Sequence, residues 1–178
     1  MDPFPVIRTL AYLTVFGPVV AVVLLFGVII QKVRPLRVLD FLGQKAILCA
    51  LTIACVATFG SLFFSEVAYF EPCKLCWFQR IFMFPLAIIL GIAAFRSDSS
   101  IKFYALPLVG LGAAIAFFHT LIYFGLIEEA IIPCTRAGPS CAGEAMTILG
   151  SVPLPLASLI AFAAIGGLLF LCRPGVYR

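Results

Sequence analysis

The sequence predicts an all-α integral membrane protein of five spans, with its N-terminus outside the cell and its C-terminus in the cytoplasm. Three observations carry that prediction. Of the 178 residues 63% are hydrophobic and 11% charged, with a mean hydropathy of +1.19. Soluble domains carry about 25% charge, so a water-soluble chain of this length has too little interior for so much apolar surface. Uncharged stretches of membrane-crossing length recur along the chain. Lysine and arginine fall unevenly on the two faces that these stretches define. A net charge of +4, scattered along the chain, argues against a nucleic-acid partner. No repeat or low-complexity tract is present, which predicts one membrane domain with no soluble domain attached.

Leu10 to Ile30 is free of charge for 21 residues, about 31 Å of helix at a rise of about 1.5 Å per residue. A cleaved signal peptide has positive charge before a shorter apolar core. Here the positive cluster of Lys32, Arg34, Arg37 and Lys45 follows the core, so a retained helix is expected. Ala46 to Ser65 forms the second span. The third is uncharged only from Ile81 to Phe95, 15 residues, short for a core of about 30 Å. Extension back to Trp77 takes Arg80 into the helix, a costly placement unless the guanidinium snorkels or finds a partner.

Arg96 to Lys102 is a short polar turn. Phe103 to Ile127 is the fourth span, carrying His119. Glu128 to Pro155 is a longer connection that contains Cys134 and Cys141 and is broken by Pro133, Gly138 and Pro139. Within it Ala142 to Val152 is mildly amphipathic and suits the membrane interface. Leu156 to Cys172 is the fifth span. With this order Lys32, Arg34, Arg37, Lys45, Arg96, Lys102, Arg173 and Arg178 share one face, and Arg8, Lys74, Arg80 and Arg136 the other. Eight against four puts the first group in the cytoplasm. Cys73, Cys76, Cys134 and Cys141 are then all extracytoplasmic.

Seven cysteines are present. Cys49, Cys55 and Cys172 lie in apolar spans, where cysteine behaves as a small hydrophobe. The outer four form two pairs in a place where disulfides persist. They suit inert structural disulfides, a zinc site, or disulfide exchange between the pairs and with a partner. Six residues separate Cys134 from Cys141, against the two to four usual in zinc sites. The Glu71-Pro72-Cys73-Lys74-Leu75-Cys76-Trp77-Phe78-Gln79-Arg80 stretch favours exchange. Pro72 suits the first turn of a helix, and a helix N-terminus lowers the pKa of a Cys-x-x-Cys thiol. Arg80, at i+4 from Cys76 and i+7 from Cys73, shares their stripe. There it can stabilise a thiolate, or an anion forming on an adjacent acceptor. His119, eight residues before the end of its span, lies about 12 Å deep, near the depth of Arg80. Ionisable residues at such depths mark functional sites.

Pro72-Cys73-x-x-Cys76-x-x-x-Arg80 at an outer membrane edge, the histidine of Phe118-His119-Thr120 and a second outer cysteine pair resemble the DsbB/BdbC family of membrane thiol oxidases. The likeness runs from roughly Lys45 to Arg173. It implies a four-helix transmembrane bundle over residues 45–178, preceded by an additional N-terminal transmembrane helix and cytoplasmic connection over 1–44. It also implies a protein-dithiol:quinone oxidoreductase of the cytoplasmic membrane. Cys76 would be the thiolate that contacts the quinone (ubiquinone or menaquinone), and Cys73 its disulfide partner. Arg80 and His119 would line the quinone pocket. Cys134 and Cys141 would be the shuttle pair that meets an extracytoplasmic thioredoxin-like protein of the DsbA/BdbD type, with Cys134 the sulfur attacked. No resident metal is expected. The short Cys134–Cys141 loop is closer to the BdbC type, and the first span is an addition. A vitamin K epoxide reductase-like protein is the nearest rival, but there the Cys-x-x-Cys follows the shuttle pair. A non-catalytic membrane scaffold with outer disulfides is the rival of a different class.

Overall fold

The computed structural model describes residues 37–67, 69, 71–127, 147–148 and 152–172, with side chains for 45–67, 69, 71–127 and 153–172. The span expected at Leu10–Ile30, Cys134, Cys141 and most of the segment Ala142–Val152 lie outside the described residues. Four helices carry the fold: α1 (Arg37–Glu66), α2 (Lys74–Arg96), α3 (Lys102–Tyr123) and α4 (Leu154–Leu171). Each holds a segment long and apolar enough to cross a membrane, so the chain is a multi-pass membrane protein. α1 runs without a break through residue 45, the expected start of the bundle.

Packing closes the four helices into a ring. α1 packs on α2 and α4, and α3 on the same two. Small residues of α1 (Ala46, Ala50, Ala54) and large ones of α2 and α4 (Leu86, Leu90, Phe162, Ile165, Leu168) fill the centre. Phe59, Ile88, Phe95 and Phe170 stand exposed on the outer surface, the arrangement expected where lipid rather than water is the solvent. Gly112 lets Phe162 lie against the backbone of α3, since a Cβ there would overlap the ring.

The termini account for the differences from the sequence-based expectation. α2 starts at Lys74, three residues before Trp77, because Cys73 caps it. Its 23 residues give about 34 Å of helix, which removes the apparent shortness of this span. Pro72 precedes the cap and is not in the first turn. At the far end Ser97, with φ 53°, closes the helix through its N–H to Ala93 O. Asp98 then caps a single 3-10 turn, Ser99–Ile101, by accepting from Ser100 N.

α3 ends at Tyr123, four residues before the expected Ile127. Gly125 has φ +70°, its N–H bonds Ile122 O at 2.9 Å, and Leu126 N–H bonds Leu121 O at 3.0 Å. This is the paired 5→2 and 6→1 closure of a Schellman motif, for which glycine is the favoured residue. His119 therefore lies four residues from the helix end, about 6 Å deep rather than 12. Arg80, six residues into α2, lies about 9 Å deep. Before α4, Thr147–Ile148 pairs antiparallel with Val152–Pro153, so the described residues of the amphipathic segment, 147–148 and 152, lie in short strands. At the opposite end of the bundle Lys102 Nζ donates to Cys172 O at 3.1 Å and ties the start of α3 to the end of α4.

Candidate functional site

Cys73 and Cys76 occupy the N-cap and N3 positions of α2, the two positions that a capping box joins. Cys73 is extended (φ −66°, ψ 167°), and its Sγ accepts the Cys76 N–H at 3.3 Å. The backbone closes behind it through Trp77 N–H to Cys73 O at 3.1 Å. This geometry turns both side chains to one side. The two thiols are unbonded, with the sulfurs in hydrogen-bond contact 3.0 Å apart. Cys73 is buried at 1% exposure while Cys76 is only partly covered. Leu75, Ile122, Phe118 and Tyr123 form the apolar surround.

His119 reaches this pair from α3. Its Nε2 lies 3.8 Å from Cys73 Sγ and its Nδ1 3.0 Å from Gln79 Nε2. With the Gln79 amide donating to Nδ1, the ring proton sits on Nε2 and points at the Cys73 sulfur. The imidazole is fully buried, where such bonds are stronger than in water. The Cys73 thiol is accordingly pulled down to about 5. The largest cause is the hydrogen bond from Cys76, with the hydrogen bond and field of His119 adding to it and burial opposing. The position at the helix N-terminus acts in the same direction.

Arg80 turns to α1. Its Nε donates to Ser61 Oγ at 2.7 Å and its Nη2 to Ser61 O at 2.8 Å, and the guanidinium lies 5.1 Å from the centre of the Trp77 ring. A buried arginine with a fork of bonds and an aromatic face meets the condition for placing a cation in a span. Helical periodicity puts Cys76 between the directions of Gln79 and Arg80. Cys73, Cys76 and His119 are thus assembled in one place, with Arg80 one turn further along and anchored on another helix. The expected shuttle cysteines, Cys134 and Cys141, lie outside the described residues.

Two contributors escape a motif-based reading. Gln79 and Ser61 are neutral polar residues in apolar segments, each at the depth of an ionisable one, and that coincidence was the available signal. Thr58, one turn deeper than Ser61, has a buried hydroxyl with no hydrogen-bond partner among the described residues.

Comparison with known proteins sets this geometry in context. Residues 43–172 match the family model described as disulfide bond formation protein DsbB. The chain belongs to the DsbB family. Among its relatives, a probable disulfide formation protein of Metapseudomonas resinovorans is 54% identical over 121 residues, 68% of this chain and 84% of that one. A probable disulfide formation protein of Deinococcus radiodurans is 43% identical over 127 residues, 67% of this chain and 83% of that one. Disulfide bond formation protein C of Bacillus subtilis is 42% identical over 120 residues, 67% and 85% of the two chains. No solved structure gives a significant match. Among the described residues, Cys73 and Cys76 at the head of α2 are the cysteines whose sulfurs lie in contact, 3.0 Å apart.

Proposed function

We propose that this DsbB-family chain is a protein-dithiol:quinone oxidoreductase of the cytoplasmic membrane. It re-oxidises an extracytoplasmic thioredoxin-like protein of the DsbA/BdbD type through Cys134–Cys141 and then Cys73–Cys76, and delivers the electrons to a membrane quinone. The observation that carries the reading is a dithiol at a helix N-cap, bonded by a buried histidine, one turn from a buried arginine.

The orientation follows from charge. Among the described residues Lys45, Arg96 and Lys102 lie at the bundle end away from the cysteines, and Lys74 and Arg80 lie near them. The positive-inside tendency supports a cytoplasmic position for the former, and hence extracytoplasmic cysteines, an external N-terminus and a cytoplasmic C-terminus. In this reading residues 1–44 supply a fifth helix and its connection, and 45–178 the catalytic bundle.

A quinone offers two carbonyl oxygens at opposite ends of an apolar ring. The residues suit it: Nη1 of Arg80 carries two N–H donors beyond those used on Ser61, and the Thr58 hydroxyl is buried without a partner among the described residues. Ubiquinone and menaquinone share these features. When bound, the quinone supplies the two-electron, two-proton acceptor that restores the Cys73–Cys76 disulfide. The remaining work belongs to the chain. The partner's thiolate attacks Cys134 and Cys141 leaves. The partner's second thiolate then breaks this mixed disulfide, so the partner departs oxidised and the shuttle pair becomes a dithiol. A shuttle thiolate then attacks Cys73 Sγ, and the bond to Cys76 breaks with Cys76 leaving as thiolate. The second shuttle thiolate resolves the mixed disulfide, re-forming Cys134–Cys141 and releasing Cys73. Arg80, held one turn along, offsets that charge where little water competes. His119 and Cys76 hold the charge on Cys73 once the pair is fully reduced.

The test is quinol formation by the purified protein given a reduced thioredoxin-like donor and either quinone. The reading expects stoichiometric quinol and none with Cys76→Ser. A membrane scaffold with structural disulfides yields no quinol in either protein.

A further inference from the structure

The Cys73 and Cys76 sulfurs and an imidazole nitrogen of His119 lie within 4.8 Å of one another, a set of three soft donors around one point. We infer that the reduced form of this site binds a thiophilic d10 divalent cation such as zinc, and that the ion and the Cys73–Cys76 disulfide exclude one another. The sequence suggested zinc only for four thiolates drawn from both cysteine pairs. The structure assembles a different set, two thiols and a histidine, from α2 and α3 alone.

Two of the three donor separations can be set against what the ion requires, and the third, Cys76 Sγ to the His119 ring nitrogen, lies within 4.8 Å. Zinc–sulfur and zinc–nitrogen bonds of about 2.3 and 2.0 Å in a tetrahedron set donor separations of about 3.7 Å for S···S and about 3.5 Å for S···N. Here Cys73 Sγ and His119 Nε2 are 3.8 Å apart, near that value, and the two sulfurs are 3.0 Å apart. The sulfurs must therefore separate by about 0.7 Å to reach the tetrahedral spacing. Cys76, the less covered of the two, can do so by side-chain rotation. Two intervening residues is a spacing that zinc sites use, and the Cys76 N–H already donates to Cys73 Sγ, as amides do around metal-bound thiolates.

Binding displaces the proton of the Cys76 thiol, while Cys73 offers the charge it already carries. The ring proton of His119 must move to Nδ1 so that Nε2 presents its lone pair. Gln79 accommodates the change, because rotation of its amide replaces an NH2 donor with an oxygen acceptor facing Nδ1. A metal-bound histidine ordinarily gives its second N–H to such an acceptor. The three donors leave a fourth position for water or another ligand. The electron pairs that bind the ion are those a disulfide would use, so an oxidised site has no thiolate to offer. The inference rests on this donor geometry and is independent of the quinone reading.

The experiment uses the full chain in detergent with Cys134→Ser and Cys141→Ser, so that Cys73 and Cys76 are the one remaining outer pair. Reduced and oxidised samples are titrated with Zn2+ against a chromophoric chelator, and with Cd2+ for its ultraviolet thiolate charge-transfer band. The expected result is one ion per reduced chain, none per oxidised chain, and affinity lower by about tenfold or more in both His119→Ala and His119→Gln. Folding of each variant is checked by its elution as a single species. No uptake by the reduced protein, equal uptake by the oxidised protein, or unchanged affinity in both folded His119 variants overturns the inference. Since the comparison of reduced with oxidised protein involves no change at His119, it stands even if a His119 variant fails to fold.

Discussion

Gln79 Nε2 donates to His119 Nδ1 at 3.0 Å, and through that bond a residue of α2 decides which nitrogen of an α3 imidazole carries the proton aimed at Cys73. The two residues belong to different helices, so the tautomer depends on correct packing of α2 against α3. Gln79→Leu removes the donor, frees the ring to place its proton on Nδ1, and takes the hydrogen bond from the Cys73 thiolate. The expected outcome is an upward shift in the Cys73 titration, measured by the pH dependence of its alkylation followed by mass spectrometry. His119→Ala shifts it in the same direction. A profile unchanged in both variants removes His119 from the support of that thiolate.

The depressed Cys73 thiol makes the reduced protein sensitive to acid. An ordinary unfolded thiol keeps its proton up to about pH 9, whereas folded Cys73 gives it up near 5. The reduced fold therefore gains stability as pH rises above 5, and loses that gain as pH falls through about 5. Alkylation of Cys73 should hold its rate from neutrality down to about pH 5 and fall below it, once the reagent's own pH dependence is subtracted. A rate that already falls below pH 8 contradicts the assignment.

Most of this arrangement was legible in the chain. Charge-free runs located the second to fifth spans, and the Cys-x-x-Cys with Arg80 at i+7 marked the head of one of them. Helix ends differ from the expectation where a single residue decides them: Cys73, whose Sγ caps α2 three residues early, and Gly125, which closes α3 before Ile127. The glycine signal was present but was outweighed by the apolar run through it. Partners were hidden for a different reason. Nothing in the local pattern around Ser61 says that it faces Arg80, because that pairing is set by the rotation of α1 against α2 and not by either sequence alone.

Arg80 tests the separation of structural from chemical roles. Its two bonds to Ser61 link α1 to α2, and its remaining donors are assigned to the quinone. Arg80→Ala should raise the apparent KM for quinone by about tenfold or more while leaving most of the fold intact. Arg80→Lys should recover little, since a lysine has neither the fork nor the flat face that meets Trp77. Ser61→Ala, which removes one of the two acceptors, should give a smaller rise of the same kind. Equal quinone kinetics in wild type and Arg80→Ala would confine this residue to packing.

Gly112 and Gly110 lie two residues apart on α3 and face different surroundings. A Cβ at Gly112 overlaps the Phe162 ring, whereas one at Gly110 meets nothing within 4 Å. Gly112→Ala must push α3 from α4 or force Phe162 off its rotamer, at a cost of about 1–3 kcal/mol. Gly110→Ala should be neutral or slightly stabilising. Thermal unfolding of the two variants in the same detergent reads the difference, and equal midpoints would mean that the α3–α4 contact is looser than described.

The order of the relay is tested at Cys134. A serine there has no sulfur for the partner's thiolate to attack, and in the proposed relay Cys141 loses its disulfide partner. Electrons from a reduced thioredoxin-like donor should then be blocked, with partner-dependent quinol formation lost. The Cys73–Cys76 pair remains complete, so after chemical reduction it should still be re-oxidised by added quinone, at a rate close to that of the wild type. Quantifying free thiols before and after quinone addition separates these two steps. Sustained turnover of the partner by Cys134→Ser would mean that Cys73–Cys76 is attacked directly, and the second pair would then have no place in the path.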